Sequence, residues 1–211
     1  MSCLVLGASG GLGFVVCDAL SHSFSVFGSV RSQSSLPSSV PFSRTIVGLP
    51  STDDFWNDPI LDEFSQDHSH VIVVATGHCN YESIFELSKS KLDQYFESHL
   101  YPFINAVHFA KNKLYNSKVL IIIINTSIVQ DQDYVIDCAG YQIAKHALEG
   151  AFRAAEVDTW CTDITVKSMY PSNYNTKLWP MSFGVPEDAR SPKDFGEEVL
   201  KVVLEWCNAC D

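Results

Sequence analysis

The sequence alternates short apolar runs with longer segments of helical periodicity, and this alternation constrains the fold most. The runs CLVLG, FSVFGSV, VIVVATG, KVLIIIIN and DITVKSMY have the length of strands and show little polar–apolar alternation. Unbroken runs of Val and Ile are typical of parallel strands that are covered by helices on both faces. The pattern therefore predicts a doubly wound α/β fold with right-handed crossovers, in a single domain over residues 1–211.

Helices are predicted between and after these strands, at Gly11 to Ser21, about Glu82 to Lys113, Tyr141 to Val157 and Pro192 to Cys207. The segment RSQSSLPSSVPFSRT is rich in Ser and Pro and has no helical period. We interpret it as a loop between the second and third strands.

Charge and cysteine usage exclude several kinds of partner and site. The net charge of −11 argues against a nucleic-acid backbone or an anionic membrane as the main partner. No signal peptide is visible, and the longest apolar run, Val119 to Ile124, is far too short to span a bilayer. Seven scattered Cys favour a reduced, cytoplasmic chain. The terminal CNAC has no second ligand pair, so no metal site is predicted.

A glycine-rich stretch, LGASGGLG, follows the first strand directly and leads into the first helix. Gly7, Gly11 and Gly13 allow a sharp turn that brings a phosphate close to backbone N–H groups. The alternative is a strand-to-helix turn without a ligand. The position at the first βα turn favours a dinucleotide site.

The end of the second strand indicates which dinucleotide is bound. An NAD site usually has an acidic residue there, about 20 residues beyond the glycines, that binds the ribose hydroxyls. This chain has Arg31 and Ser32 instead, and no acid nearby. A guanidinium can bind the 2′-phosphate of NADP through paired hydrogen bonds, so NADP is favoured over NAD. The alternative is a solvated loop arginine.

Tyr141 and Lys145 are four residues apart at the start of a predicted helix. This spacing puts a phenol and an ammonium side by side on one helix face. The helix needs neither residue for its own stability, which indicates a chemical role for the pair.

Five motifs occur along the chain in this order: the glycine turn, VATG, INTS, YQIAK and YPSNYNT. In type and order they resemble the motifs of the short-chain dehydrogenase/reductase family, and the resemblance extends from Cys3 to about Trp206. Leu6 stands where the family usually has Thr, and VATG matches its Asn-Asn-Ala-Gly mainly at Gly77. Ser172 replaces a glycine in the stretch that closes over the nicotinamide. The resemblance implies a Rossmann-type sheet of about six strands and cofactor contacts from these residues: Gly7, Ser9, Gly11, Leu12, Gly13, Arg31, Ser32, Ala75, Thr76, Gly77, Tyr141, Lys145, Pro171, Ser172 and Thr176.

The resemblance also implies an oxidoreductase that reduces a carbonyl, or oxidises an alcohol, by hydride transfer with NADP(H). Tyr141 would be the acid/base, and Ser127 would hydrogen-bond the carbonyl oxygen. Free tyrosine has a pKa of about 10. The adjacent ammonium of Lys145 is expected to lower it toward the working range. Lys145 would also hold the nicotinamide ribose.

The chain departs from the family pattern at several points. His99 aligns with the helix-borne Asn of the family's proton relay, and it either replaces that Asn or only packs. The substrate loop from Lys177 to Ser191 is short, with Trp179, Met181 and Phe183 as an apolar lid or as core. The family also implies a homodimer or homotetramer through the helices at Glu82–Lys113 and Tyr141–Val157, where Ala144, Ala147, Gly150 and Ala151 permit close approach.

Two alternatives to a carbonyl reductase remain. One is a low-turnover NADP-binding sensor or interaction protein, favoured by the missing Asn and by the missing last strand of the family. The other is an enzyme similar to dihydropteridine reductases, which can lack the Asn but also lack the serine that Ser127 supplies. The motifs name no substrate, because a fold alone does not determine one.

Overall fold

A computed structural model describes residues 1–35, 39–131, 136–176 and 186–210 of the chain. All the strands in these ranges belong to one parallel sheet with the order β3-β2-β1-β4-β5-β6. They are β1 (Ser2–Leu6), β2 (Ser25–Val30), β3 (Arg44–Val47), β4 (Ser69–Val74), β5 (Lys118–Ile124) and β6 (Ile164–Met169). The predicted doubly wound α/β fold with six strands is confirmed.

Helices cover both faces of the sheet. In chain order they are α1 (Gly11–Ser21), α2 (Asp53–Trp56), α3 (Pro59–Phe64), α4 (Lys89–His99), α5 (Tyr101–Lys113), α6 (Ile128–Asp131), α7 (Ala139–Asp158) and α8 (Pro192–Cys210). A short 3-10 turn at Gln33–Ser35 follows β2, within the segment interpreted as a loop. No helix in the described ranges combines the length and the apolarity needed to cross a membrane.

The side chains of the strands divide the core into two layers. Leu4, Leu6 and Ile121 point to the face that is covered by α5 and α7, whereas Val5 and Ile122 point to the face covered by α1 and α8. Strand β5 is buried from Val119 to Ile124. This two-sided burial is the physical reason for the unbroken aliphatic runs in the sequence.

The predicted helix from about Glu82 to Lys113 is wrong at its start and in its middle. Glu82 is extended and forms a parallel β-bridge with Cys138. Helix α4 begins only after Ser88. The hydroxyl of Ser88 caps the helix by accepting a hydrogen bond from the backbone N–H of Lys91. The helix then breaks at Leu100, two residues before Pro102. Proline has no backbone N–H, and its ring clashes with the preceding turn of a helix.

The register of the sheet aligns the carboxyl ends of its central strands. Leu6 at the end of β1 pairs with Val74 at the end of β4, and Val74 pairs with Ile123 of β5. The strand order reverses direction between β1 and β4, and ligands of open α/β sheets bind at such a point. The chain segments that follow these three strands therefore surround one crevice.

Candidate active site

The glycine turn connects β1 to α1 at this crevice. Gly7 has φ 83°, a conformation that L side chains rarely adopt. A Cβ at Gly13 would lie 2.2 Å from the carbonyl oxygen of Gly7, so the first turn of α1 packs directly on the loop. Gly10 precedes the helix without a side-chain cap, and the first turn contains no acid. The free N–H groups and the helix dipole favour an anion here.

The end of β2 contributes a positive charge beside this turn. Arg31 and Ser32 are exposed, and they follow Val30 directly. Burial lowers the pKa of His78 in the segment that follows β4, and the charge of Arg31 lowers it further. The backbone N–H of Gly7 donates to Ser29 Oγ at 3.0 Å and ties β2 to the turn.

The segment after β4 forms one wall of the crevice. Ala75, Thr76 and Gly77 follow the strand, and a Cβ at Gly77 would lie 2.3 Å from Cε1 of His99. His99 is buried at the end of α4, with Nε2 at 2.8 Å from the carbonyl oxygen of His78. Burial, together with the charge of Lys145, holds the pKa of His99 well below its ordinary value, so the imidazole is neutral.

Tyr141 and Lys145 lie on the inner face of α7, as the spacing predicts. Their side chains are buried, and Lys145 Nζ lies 5.8 Å from the centre of the Tyr141 ring. Lys145 Nζ donates a hydrogen bond to the carbonyl oxygen of Ile124 at 2.8 Å, which anchors the ammonium to the end of β5. The ring of His99 packs edge-on against Tyr141 at 5.5 Å.

The electrostatics of this pair differ from the expectation. Burial raises the pKa of Tyr141, and a hydrogen bond with Thr126 opposes the rise. Burial also lowers the pKa of Lys145 to about 7. Desolvation disfavours the charged form of each group, so both shifts are opposite to those expected from the attraction between a phenolate and an ammonium.

Ser127 and the segment after β6 complete the crevice. Ser127 lies just beyond β5, and its backbone N–H donates to the carbonyl oxygen of Pro171 at 3.4 Å. The segment after β6 continues from Pro171 to Thr176, which packs closely on Gly11. A Cβ added at Gly11 would lie 2.7 Å from the Cβ of Thr176. The loop after β6 therefore reaches the glycine turn across the crevice.

These segments enclose a cavity of about 390 Å³. Of the residues predicted for the site, eleven line it: Leu12, Ala75, Thr76, Gly77, His99, Ser127, Tyr141, Lys145, Pro171, Ser172 and Thr176. Six lie nearby, in the turn and first helical turn after β1 or just after β2, without lining it: Gly7, Ser9, Gly11, Gly13, Arg31 and Ser32. The predicted lid residues Trp179, Met181 and Phe183 lie outside the described residues.

Several residues of the cavity wall were not predicted from the sequence: Cys79, Tyr81, Ile124, Asn125, Thr126, Ile128, Cys138, Asn173 and Tyr174. Thr126 could have been found, because it directly precedes the predicted Ser127 at a strand end. The meeting of Cys79 and Cys138, 59 residues apart in the chain, has no local sequence signal.

The chain matches a known protein family over much of its length. Residues 58–192, more than half of the chain, match a family model described as enoyl-(acyl carrier protein) reductase. No curated protein matches the sequence at a significant level.

Three solved structures show the same fold over nearly the whole of this chain. A short-chain dehydrogenase from Burkholderia cenocepacia in complex with NADP has a TM-score of 0.81 at 16% identity, covering 96% of this chain and 83% of its own. An alcohol dehydrogenase from Thermococcus sibiricus complexed with 5-hydroxy-NADP has a TM-score of 0.79 at 18% identity, covering 96% and 89%. A short-chain oxidoreductase from Thermus thermophilus has a TM-score of 0.73 at 22% identity, covering 95% of each chain.

Proposed function

Since the chain belongs to the short-chain dehydrogenase/reductase family, we propose that it is an NADP(H)-dependent oxidoreductase that reduces a carbonyl or oxidises an alcohol. The observation that carries the proposal is the cavity at the carboxyl ends of β4, β5 and β6, which brings Ser127, Tyr141 and Lys145 together. In open α/β sheets this edge is where ligands bind.

The residues around the crevice fit a dinucleotide. The uncapped N-terminus of α1 suits a pyrophosphate, because its N–H groups and dipole attract negative charge. On the other side, Thr76 Oγ1 is buried without a hydrogen-bond partner among the described residues, and Thr76 lines the cavity. A bound ligand that offers a polar group would satisfy this hydroxyl. Two structural relatives were solved with NADP or 5-hydroxy-NADP.

The side chains have complementary chemical roles in this proposal. A bound nicotinamide cofactor supplies or accepts the hydride. Tyr141 donates its phenolic proton to the carbonyl oxygen, and the hydroxyl of Ser127 donates a hydrogen bond to the same oxygen. Lys145 is anchored on Ile124 and stabilises the phenolate that results. His99 is the proposed relay residue, and Nδ1 of its ring is buried without a partner in the described part of the chain.

The raised pKa of Tyr141 favours carbonyl reduction over alcohol oxidation at neutral pH. A phenol that stays protonated at neutral pH can donate a proton, as carbonyl reduction requires. Alcohol oxidation needs the phenolate, so we expect oxidation to gain relative to reduction as the pH rises. Rates in both directions, measured with one carbonyl–alcohol pair across pH 6 to 10, test this sign.

The experiment that tests the proposal is turnover with a panel of aldehydes, ketones and quinonoid pterins, each with NADPH and with NADH. Among the described residues that line the cavity, Lys145 alone is of a charged type (Lys, Arg, Asp or Glu), and its ammonium is already assigned a role. The panel therefore begins with uncharged carbonyls. Carbonyl-dependent consumption of NADPH supports the reductase. Tight NADPH binding without turnover on any substrate would favour the sensor, and turnover of the pterins alone would favour the dihydropteridine-type enzyme.

Arg31 is the proposed determinant of cofactor choice. We expect Arg31→Ala to weaken NADPH binding by about 1–3 kcal/mol, the range for a charge-assisted hydrogen bond, and to leave NADH binding unchanged. Titration of each cofactor by calorimetry measures both affinities. Arg44→Ala is the matched control, because Arg44 is an exposed arginine at the start of β3, where it pairs with Glu63 of α3. Equal affinity of the parent protein for the two cofactors would contradict the assignment.

We also propose a homodimer or homotetramer through the outer face of α7. Gly150 is exposed on this face, and a Cβ there would meet open space. Val157 and Trp160 are also exposed, near the end of the helix. Ala144, which was expected at this interface, is fully buried within the protomer beside Tyr141 and cannot contribute.

A single substitution tests this assembly. A Cβ at Gly150 meets open space within the protomer, so we expect Gly150→Arg to fold normally and to convert the dimer into a monomer. Light scattering at micromolar concentration measures the mass. Ala209→Arg, which adds the same charge to an exposed position on α8, is expected to leave the assembly intact. A parent protein that is already monomeric would refute the proposed interface.

A further inference from the structure

Two cysteines meet in the wall of the catalytic cavity. Cys79 comes from the segment after β4, and Cys138 directly precedes α7. Their Sγ atoms lie 3.9 Å apart, and both residues line the cavity together with Tyr141. All seven cysteines are free thiols in the structure, and this contact is between two of them.

The backbone holds the two thiols together. Cys138 forms a parallel bridge with Glu82, three residues after Cys79, and the backbone N–H of Glu82 donates to the carbonyl oxygen of Asp137 at 2.7 Å. The backbone N–H of Ala139 in turn donates to the carbonyl oxygen of Glu82 at 3.2 Å. The two segments therefore keep the thiols in contact on the surface that a substrate would touch.

We propose that Cys79 and Cys138 form a redox-sensitive dithiol that hydrogen peroxide oxidises to a disulfide, and that this disulfide switches the site off. The effect on turnover rests on the proposed function, whereas the formation of the disulfide does not. The cavity gives a small oxidant access to Cys79, which is half-buried, and the buried Cys138 is the second thiol.

The chemistry is a two-electron oxidation. The thiolate of Cys79 attacks one peroxide oxygen, the O–O bond breaks, and a sulfenic acid and hydroxide or water are formed. The sulfur of Cys138 then attacks the sulfenic sulfur, an S–S bond forms, and a second water leaves. Two thiols are oxidised in total, and the peroxide is reduced to two waters. Burial raises the pKa of Cys79 to about 12, so the thiol form dominates at neutral pH and the oxidation is slow.

The disulfide would move the wall of the site. An S–S bond is about 2.05 Å long, so the sulfur atoms must approach by almost 2 Å from their contact distance. Cys138 lies three residues before Tyr141 and one residue before α7 begins. Closure therefore pulls on the first turn of the helix that positions the phenol. A displacement of about 1 Å in a catalytic group can lower the rate by about 100-fold.

The test combines a chemical map with an activity ratio. The full-length protein is incubated with excess hydrogen peroxide, remaining thiols are alkylated, and peptides are mapped without reduction. We expect a peptide that links Cys79 to Cys138, a fall in carbonyl-dependent NADPH turnover of up to about 100-fold, and recovery of both after dithiothreitol. In Cys79→Ser and in Cys138→Ser, the linked peptide should be absent and the ratio of oxidised to reduced activity should stay near one.

Cys161→Ser is the matched control, because Cys161 is exposed and lies outside the cavity. This variant should form the linked peptide and lose activity like the parent. Peroxide treatment that oxidises Cys161 but yields no linked peptide would overturn the proposal. A linked peptide with full activity would overturn the switch. If the reduced parent shows no turnover at all, the proposed function fails, and the peptide map alone decides whether the dithiol site exists.

Discussion

Replacing Tyr141 with phenylalanine should lower kcat by about 10²–10⁴-fold, the usual contribution of a general acid. The aromatic ring keeps its edge-on contact with His99, and only one hydroxyl is lost. Thr126 then loses its partner, which should cost about 1 kcal/mol of the free energy of unfolding. Steady-state kinetics on a responsive carbonyl, together with NADPH titration, separate the loss of turnover from any loss of binding.

Tyr115→Phe provides the control for this change. Tyr115 is 71% exposed after α5 and lies outside the cavity, so removal of its hydroxyl should leave kcat and KM unchanged. A Tyr141→Phe protein that turns over at the parent rate would mean that Tyr141 only packs in the helix. His99→Asn is informative beside it: if His99 holds the relay position, the variant should keep most of its activity.

Replacing Lys145 with methionine should have two opposite effects. Turnover and NADPH binding should both fall, because one ammonium is proposed to stabilise the phenolate and to hold the ribose. The cofactor-free protein should become more stable at pH 7, by an amount on the order of a few kcal/mol, because a charge no longer has to be buried.

The pH dependence of stability gives the sign of this second effect. Folding lowers the pKa of Lys145 from 10.5 to about 7, so between these values the unfolded chain binds more protons than the folded protein. The destabilisation from Lys145 is therefore complete below about pH 7 and is relieved as the pH rises toward 10.5. Denaturant unfolding at pH 7 to 9.5 should show stability rising more steeply with pH in the parent than in Lys145→Met. Lys111→Met, an exposed change on α5, should keep the parent's slope, and equal slopes in all three proteins would contradict the assignment.

The fold was predictable because its main signals are local. Aliphatic runs such as Val119 to Ile124 are buried on both faces, and that burial leaves a direct record in the sequence. The glycine turn and the four-residue spacing of Tyr141 and Lys145 are also local, and the structure brings the pair to one cavity with Ser127.

The features that were not predicted depend on contacts between distant segments. The residues from Glu82 to Ser88 look helical in isolation, but the bridge from Glu82 to Cys138 holds the start of this segment extended. Ala144 looks like an interface residue in the sequence, but it is buried in a cluster with Tyr141 and with Tyr95 of α4. The raised pKa of Tyr141 follows from desolvation, which depends on the packing around the phenol and not on the neighbour four residues away.

The central claim is that this cavity transfers a hydride from NADPH to a carbonyl carbon. The most direct test uses NADPH that carries deuterium at the transferred position of the nicotinamide, with the carbonyl panel and with mass spectrometry of the products. We expect deuterium on the carbinol carbon of at least one alcohol product with the parent protein, and about 10²–10⁴-fold less of it in the same time with Tyr141→Phe. NADPH that binds tightly but stays unoxidised with every carbonyl, while the protein is folded and reduced, would contradict the account.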